Sequence, residues 1–269
     1  CTINSTEDIN LLEDYGYQNS IRIRAHLKID TGMGRMGAVY SDMEKIMLDL
    51  SESQHIEVEG VYSHFATAEE KDTKYRDWQL KRFKEVIAKT QTTLPQVEYF
   101  HMANSAAILT CSESHFNMVR PGISLYGVTP LGKPHDHLLP VMRMKAPVTI
   151  IKDFNTGESV GYNQQYITKQ NEKIAMLQAG YADGIPVEFS NRGEVEIEGN
   201  IYPIVGKVSM DLVAIRCRER KIIAGQEAIF WGSDDMNLRL ETLAGKFKKN
   251  LYEFLTGVTK RVKRNYIHE

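Results

Sequence analysis

The sequence predicts an α/β chain in two parts, and three observations support this prediction. Strand-like and helix-like stretches alternate over residues 1–134, and a Gly-, Pro- and His-containing segment follows at about residues 130–140. Short apolar runs separated by turn signals then occupy most of residues 135–269. Alternation is typical of a parallel sheet wrapped by helices, whereas closely spaced short strands indicate a mostly β domain. We therefore expect a domain boundary near residue 135.

Capping signals and the spacing of apolar residues predict the elements of the first part. Residues 5–8 (STED) and 41–44 (SDME) both have the spelling of a capping box. The first box predicts a helix over about residues 6–15 that ends at Gly16. Further helices are predicted after residue 42, over about 73–92 and over 105–111, and strands over 21–30, 56–65, 97–102 and 116–119.

The second part contains short strand-like runs rather than helical periodicity. Turn signals such as Asn155-Thr156-Gly157 separate these runs. Strands are predicted over residues 148–152, 173–177, 194–197, 201–208, 212–216 and 227–231, followed by a helix over about 239–248.

Composition narrows the class of partner. With 33 Lys and Arg against 35 Asp and Glu, the net charge of −2 provides no field that would attract nucleic acid or a membrane surface. A small-molecule partner is therefore expected. The three cysteines, Cys1, Cys111 and Cys217, show no CxxC spacing, so neither a disulfide framework nor a metal site is indicated, and a reducing, cytoplasmic setting fits. Neither a membrane span of ~20 apolar residues nor a signal peptide is evident.

Polar residues follow the carboxyl ends of the predicted strands in the first part. They are Lys28 and Arg35, His64, Asn104-Ser105, and Arg120-Pro121-Gly122. In β/α barrels the loops at this end converge on the active site, so these residues predict a common site. Ser105 opens a helix and suits a phosphate, although an ordinary helix cap would have the same sequence. Arg120 provides a positive charge at any working pH.

Two tyrosines in the second part lie beside glycines, at Gly161-Tyr162-Asn163 and within residues 180–184 (GYADG). A phenol normally loses its proton near pH 10, so a tyrosine that acts as a base needs a nearby cation. Tyrosine is also a common residue on β surfaces. The sequence leaves both interpretations of Tyr162 open.

Six ordered motifs resemble those of alanine racemases in order and approximate spacing. They are residues 26–37 (HLKIDTGMGRMG), 63–68 (SHFATA), 101–107 (HMANSAA), 119–127 (VRPGISLYG), 180–184 (GYADG) and 208–211 (VSMD). The resemblance implies a pyridoxal phosphate enzyme with a (β/α)8-type barrel and a β-rich C-terminal domain, working as a homodimer. It also implies interconversion of L- and D-alanine, which supplies D-alanine for peptidoglycan.

The resemblance implies a role for each site residue. Ser105, the backbone of Gly122 and Ile123, and Tyr252 would hold the cofactor phosphate, while Arg120 would face the pyridine nitrogen. Tyr162 would be a catalytic base that acts on the partner subunit's cofactor, supported by His64. Arg35 and, from the other subunit, the Met210 backbone amide would bind the substrate carboxylate. Lys28 would correspond to a carbamylated lysine that positions Arg35, and Tyr181 and Asp211 would support the site.

The sequence also departs from the family pattern. Residues 259–264 (TKRVKR) replace a tail that usually reads Ser-Tyr-Arg-Val-Pro-Arg, and Tyr252, where related serine racemases have Asn, favours alanine. The motif with the lysine that bonds the cofactor does not occur in these residues. Only about four β/α units precede residue 135, whereas a full barrel needs eight, so about the second half of the barrel is expected.

Three alternatives to an alanine racemase remain open from the sequence. The first is a serine racemase of the same family. The second is a barrel-type pyridoxal phosphate decarboxylase, which would place a carboxylate at the pyridine nitrogen where this sequence offers Arg120. The third is a truncated, inactive binding or dimerisation protein, because the chain does not contain the cofactor lysine motif.

Overall fold

The computed structural model describes residues 1–217 and 222–267. The chain divides into two compact units, Cys1–Gly122 and Ile123–Glu269. The first is a parallel β/α unit and the second is mostly β, which confirms the predicted fold class.

The first unit is built around a parallel sheet. Its strands run in the order β1-β2-β4-β5, with β3 beside β2, and every pair is parallel. Parallel neighbours need long connections, and helices provide most of them here. The strands are β1 (Thr2–Ile3), β2 (Ile23–Asp30), β3 (Ala38–Val39), β4 (Ile56–Tyr62) and β5 (Tyr99–His101), and the helices are α1 (Thr6–Asn19), α2 (Met43–Ser51), α3 (Lys74–Thr93) and α4 (Ser105–Thr110).

Helix α1 does not end at Gly16, as the sequence suggested. It continues to Asn19, and the C-cap residue that follows, Ser20, has φ +53. Gly16 is buried, and a Cβ at that position would lie 2.5 Å from the His55 Cβ. The glycine therefore permits close packing rather than helix termination. At the other end of the helix, the Ser5 hydroxyl accepts the Asp8 N–H as predicted.

Two other predictions for the first unit are wrong. The Ser41 hydroxyl contacts the Asp42 carboxylate instead of capping α2, and a 3₁₀ turn over Tyr40–Asp42 leads into that helix. Residues 116–119 do not form a full strand, because only the bridge between His101 and Met118 is present. Phe116 has φ +46, a left-handed conformation that breaks an extended segment.

The second unit contains a closed antiparallel barrel in the order β10-β11-β12-β9-β6-β13. A short hairpin of β7 and β8 is separate from it. The strands are β6 (Met144–Phe154), β7 (Ser159–Val160), β8 (Tyr166–Ile167), β9 (Glu172–Leu177), β10 (Glu194–Ile197), β11 (Asn200–Val205), β12 (Val213–Arg216) and β13 (Glu227–Trp231), and the helices are α5 (Leu240–Phe247) and α6 (Leu251–Thr256).

Alternating burial along the strands builds the core of this barrel. Val195 and Ile197 on β10, and Val213 and Ile215 on β12, are buried, while the residues between them are more exposed. Aromatic side chains fill the rest of the same core, among them Phe189, Phe230, Trp231 and Phe254. Within residues 1–217 and 222–267, no helix has the length and apolar character needed to cross a membrane.

One pair of substitutions tests this core. Ile215→Ala removes a fully buried side chain, so we expect it to lower the free energy of unfolding by about 2–5 kcal/mol. Ile150→Ala, on β6 of the same barrel, removes a side chain that is 51% exposed and should cost less than about 1 kcal/mol. Thermal or denaturant unfolding followed by circular dichroism measures both changes. Equal losses would contradict the assignment of Ile215 to the core.

Candidate active site

Three side chains form a row at the carboxyl ends of adjacent strands. Lys28 on β2 is in register with Tyr62 on β4, and Tyr62 is in register with His101 on β5. The Tyr62 ring stacks on the His101 ring with centroids 4.7 Å apart. The Lys28 Nζ lies 5.6 Å from the Tyr62 ring centroid, and the Arg120 Cζ lies 5.0 Å from it. The Arg120 guanidinium and the Lys28 amino group therefore flank one aromatic ring at this edge of the sheet.

Arg120 is held entirely by neutral acceptors. Its guanidinium donates to the His101 Nδ1 at 2.6 Å, the Ser63 carbonyl at 2.8 Å and the His64 Nδ1 at 3.3 Å, with the Met102 carbonyl at 3.4 Å. No carboxylate pairs with it among the ion pairs of the described residues. Burial is the main cause of its lowered pKa. Arg120 is partly buried, and charges withdrawn from water are usually paired, so its uncompensated positive charge is unusual.

The donors on Arg120 determine how the neighbouring histidines are protonated. A guanidinium can only donate, so the Nδ1 atoms of His64 and His101 must both accept and their protons lie on Nε2. The His101 Nε2–H is then the donor to the His26 Nδ1, 2.8 Å away. Burial and the Arg120 charge lower the pKa of His64 to about 4 and that of His101 to about 3. Burial also lowers the pKa of His26. These rings are neutral at neutral pH.

Lys28 is nearly buried, with 7% of its surface exposed. Burial lowers its pKa, and the nearby Arg35 and Arg120 charges lower it further. Both effects favour the neutral amine, which is the nucleophilic form of lysine. A larger fraction of Lys28 is therefore in the neutral form than of a lysine on the surface.

Arg35 lies in a loop that the Asp30 carboxylate organises. This carboxylate accepts the backbone N–H groups of Gly32, Met33 and Gly34 at 2.7–2.8 Å. Gly37 closes the loop with φ +112, a conformation that side chains rarely adopt. The Arg35 side chain is exposed, and its charge helps to lower the pKa of Lys28 and of His64.

The two groups predicted to bind phosphate in the first unit are neighbours. The Gly122 N–H donates to the Ser105 Oγ at 2.8 Å. Asn104, not Ser105, caps α4 by accepting the Ala107 N–H at 3.0 Å. The Arg120 N–H donates to the Ala103 carbonyl at 2.9 Å, which places the turn over residues 120–122 beside the start of α4. A helix start, a hydroxyl and a backbone N–H together suit an anion.

In the second unit, the segment over residues 180–184 packs against residues 209–211. The Tyr181 N–H donates to the Ser209 carbonyl at 3.0 Å, and the Ala182 N–H donates to the Met210 carbonyl at 3.1 Å. A Cβ on Gly180 would lie 2.2 Å from the Ser209 oxygen, so only glycine permits this approach. Two motifs that are separate in sequence therefore form one substructure.

Arg261 joins the two acidic residues of that substructure. Its Nε lies 3.0 Å from the Asp183 carboxylate, and its guanidinium also donates to Asp211. Asp211 is thus an ion-pair partner in the described structure. Arg261 belongs to residues 259–264, where the sequence departs from the family tail, and it keeps the arginine of that tail.

The remaining predicted residues of the second unit are mostly exposed. Tyr162 begins a 3₁₀ turn (Tyr162–Gln164) within the hairpin of β7 and β8, rather than lying in a strand, and is 66% exposed. Tyr181, Met210 and Tyr252 are 47%, 51% and 46% exposed. By contrast, the Ile123 side chain is buried in the core of the unit.

Sequence reasoning missed three residues of the cluster in the first unit, namely His26, Tyr62 and His101. A signal was present, because His26 precedes Lys28 by two positions and Tyr62 precedes His64 by two. Residues two apart on a strand share a face. His101 begins the motif over residues 101–107, but no pattern in the sequence assigns this residue a role. Within the described residues, no group of three or more His, Cys, Asp or Glu side chains is placed to hold a metal ion.

A parallel β/α unit with polar and cationic residues at its strand ends, followed by a mostly β unit, defines a mixed α/β protein with a β-rich C-terminal part. Comparisons with known proteins give the family. The family model described as "Alanine racemase, N-terminal domain" matches residues 1–130, and "Alanine racemase, C-terminal domain" matches residues 141–266. The chain belongs to the alanine racemase family.

Individual relatives agree with this assignment. An alanine racemase from Carboxydothermus hydrogenoformans is 38% identical over 250 residues, which cover 90% of this chain and 67% of that protein. The crystal structure of alanine racemase from Streptomyces lavendulae superimposes with a TM-score of 0.92 at 32% identity, covering 100% of this chain and 72% of that one. The alanine racemase from Bartonella henselae was solved with covalently bound pyridoxal phosphate. It superimposes with a TM-score of 0.87 at 31% identity, covering 99% of this chain and 72% of that one. The chain spans about two thirds of the length of the curated relatives it matches.

The protonation states assigned above predict a pH response. Nitrogen-15 NMR of the ring nitrogens should show His64 and His101 neutral at about pH 5.5, with the proton on Nε2, whereas an unfolded histidine with a pKa of about 6.5 is mostly charged there. Because the unfolded chain binds more protons, the free energy of unfolding should fall as the pH drops from about 6.5 toward about 4. Titration of both rings near pH 6.5, or a proton on Nδ1, would contradict the assignment.

Proposed function

We propose that the protein interconverts L- and D-alanine with pyridoxal phosphate as its cofactor and supplies D-alanine for peptidoglycan. One observation carries the proposal: among the described residues, the partly buried Arg120 guanidinium is held by neutral acceptors and by no carboxylate. A cation that cannot give up its proton suits the pyridine nitrogen of the cofactor. It would keep that nitrogen unprotonated and so limit how strongly the ring withdraws electrons, which restricts side reactions.

The residues present fit the phosphate and the pyridine nitrogen of the cofactor, and residues 1–134, together with Tyr252, would form the part that binds these two groups. The Ser105 hydroxyl and the Gly122 N–H already lie together, and with the Ile123 N–H and the Tyr252 hydroxyl they would hold the phosphate. When bound, pyridoxal phosphate takes up the electron pair left on the substrate Cα when its proton departs.

Arg35 and, from the partner subunit, the Met210 backbone N–H would bind the substrate carboxylate. The exposed Arg35 loop and the exposed Met210 support these roles. Arg261 and Asp211 would support Met210, because Asp211 follows it directly and is paired with Arg261. Tyr181 would line the entry for substrate. Tyr252, at a position where related serine racemases have Asn, favours alanine over serine as the substrate.

Tyr162 would take the Cα proton in one direction of the reaction. The His64 Nδ1 accepts from Arg120, so its Nε2–H is the group left to bond the Tyr162 oxygen of the partner subunit. A hydrogen bond to the phenolate lowers the pKa of a tyrosine and makes it a better base. The exposure of Tyr162 supports a role across a homodimer interface.

A barrel-type decarboxylase is the less favoured alternative. Such an enzyme would need a carboxylate at the pyridine nitrogen, and within the described part of the chain no carboxylate forms an ion pair with Arg120. The three free cysteines support a reducing compartment, so we place the activity in the cytoplasm.

Co-expressed variants test the racemase and its subunit arrangement together. Tyr162→Phe and Arg120→Ala should each abolish conversion of L-alanine to D-alanine in the complete protein. A dimer with one chain of each variant would keep one of its two sites intact. Random pairing makes about half of the dimers mixed, so about a quarter of the activity of the unaltered protein should return. No racemisation by the unaltered protein would refute the function, and no restoration in the mixture would refute action across the interface.

Lys28 is proposed to carry a carbamate. Its neutral amine would attack the carbon of CO2, forming an N–C bond and releasing one proton to solvent, and the resulting anion would face the Arg35 charge. With ¹³C-labelled bicarbonate, the protein should show a carbamate NMR signal that Lys28→Met removes. Lys173→Met is the matched control, because Lys173 is exposed and Asp153 raises its pKa. A signal that survives Lys28→Met would overturn the assignment.

A further inference from the structure

Arg82 on α3 lies between two aromatic rings. Its Cζ is 3.9 Å from the Tyr40 ring centroid and 4.3 Å from the Trp78 ring centroid. Trp78 in turn packs against Tyr75, with ring centroids 5.1 Å apart. We call these four residues the Arg82 clamp. Among the ion pairs of the described residues none involves Arg82, so stacking and hydrogen bonding define its contacts.

The Arg82 clamp holds the beginning of the loop that carries Arg35. An Arg82 N–H donates to the Thr31 carbonyl at 3.3 Å, and the Tyr75 hydroxyl donates to the Gly32 carbonyl at 2.8 Å. Gly32 has φ +138, and a Cβ there would lie 2.8 Å from the Trp78 ring. The loop backbone is therefore packed directly onto the clamp.

The clamp also holds the other end of the same loop. Tyr40 follows β3 directly, only five residues after Arg35, and its ring covers the guanidinium of Arg82. Residues 75, 78 and 82 are spaced three and four apart, so they share one face of α3. One helix face thus contacts the chain on both sides of Arg35, whereas the Asp30 carboxylate ties the loop only internally.

We infer that Arg82, Trp78, Tyr75 and Tyr40 are positioning residues for Arg35. The inference rests on the proposed function, in which Arg35 binds the substrate carboxylate. The Arg35 side chain is exposed, so the loop backbone determines where its charge lies. A guanidinium stacked between two rings, with a donor left for a carbonyl, gives a defined geometry that an ammonium group cannot reproduce.

Hydrogen exchange tests the clamp without relying on activity. Arg82→Met keeps most of the aliphatic stem but removes the charge and the donors. We expect the amides of Gly32, Met33 and Gly34 to exchange roughly tenfold faster in this variant, because the stacked guanidinium and its hydrogen bond to the Thr31 carbonyl would no longer hold the loop backbone. Arg82→Lys should restore only part of the protection. Unchanged exchange in Arg82→Met would overturn the inference.

Kinetics of the complete protein with its cofactor provide the second measurement. The KM for L-alanine should rise roughly tenfold in Arg82→Met, with a smaller change in kcat and unchanged binding of pyridoxal phosphate. Tyr75→Phe removes one hydroxyl and leaves the helix intact, so it keeps the test valid if Arg82→Met folds poorly. We expect it to raise KM roughly threefold. An unchanged KM in both variants would overturn the inference.

Arg192→Met is the matched control. Arg192 lies 5.2 Å from the Phe247 ring centroid and donates to the Lys246 carbonyl at 3.2 Å, so it makes the same kinds of contact far along the sequence from Arg35. Its loss should change neither KM nor exchange in residues 31–37, and equal effects from both arginines would overturn the inference. If the unaltered protein does not racemise alanine, the proposed function fails, while the exchange measurement still decides the clamp.

Discussion

The first unit is organised around a partly buried positive charge, that of Arg120, which has no acidic partner among the described residues. Removing a cation from water is costly, and most proteins offset that cost with a carboxylate. Here two imidazole nitrogens and two backbone carbonyls surround the Arg120 guanidinium instead. Neutral acceptors satisfy its donors without cancelling its charge, so the charge remains available to an anion or a lone pair.

This constraint extends to the neighbouring residues. Because Arg120 only donates, His64 and His101 accept through Nδ1, and His26 then accepts from His101. Burial lowers the pKa of both rings bonded to Arg120, and the Arg120 charge lowers it further because protonation would place a second positive charge beside the first. Burial and the charges of Arg35 and Arg120 lower the pKa of Lys28 as well. The cluster therefore combines arginine charges with neutral histidines and a reactive amine.

Much of this organisation could be predicted from the sequence, because it depends on local patterns. Alternating elements indicated the parallel unit, and the positions of Lys28, His64 and Arg120 after strands indicated one edge of a sheet. The errors have tertiary causes. Gly16 looks like a helix end, but packing against His55 requires it. The row of Lys28, Tyr62 and His101 depends on strand register, which no local pattern specifies.

The charge state of the bound cofactor tests the central claim most directly. Pyridoxal phosphate labelled with ¹⁵N in its ring, bound to the complete protein, reports by NMR whether the pyridine nitrogen carries a proton. In the proposed arrangement, which places Arg120 beside it, that nitrogen should be unprotonated at neutral pH and should remain so in the Lys173→Met control. A pyridinium signal in the unaltered protein would contradict the account.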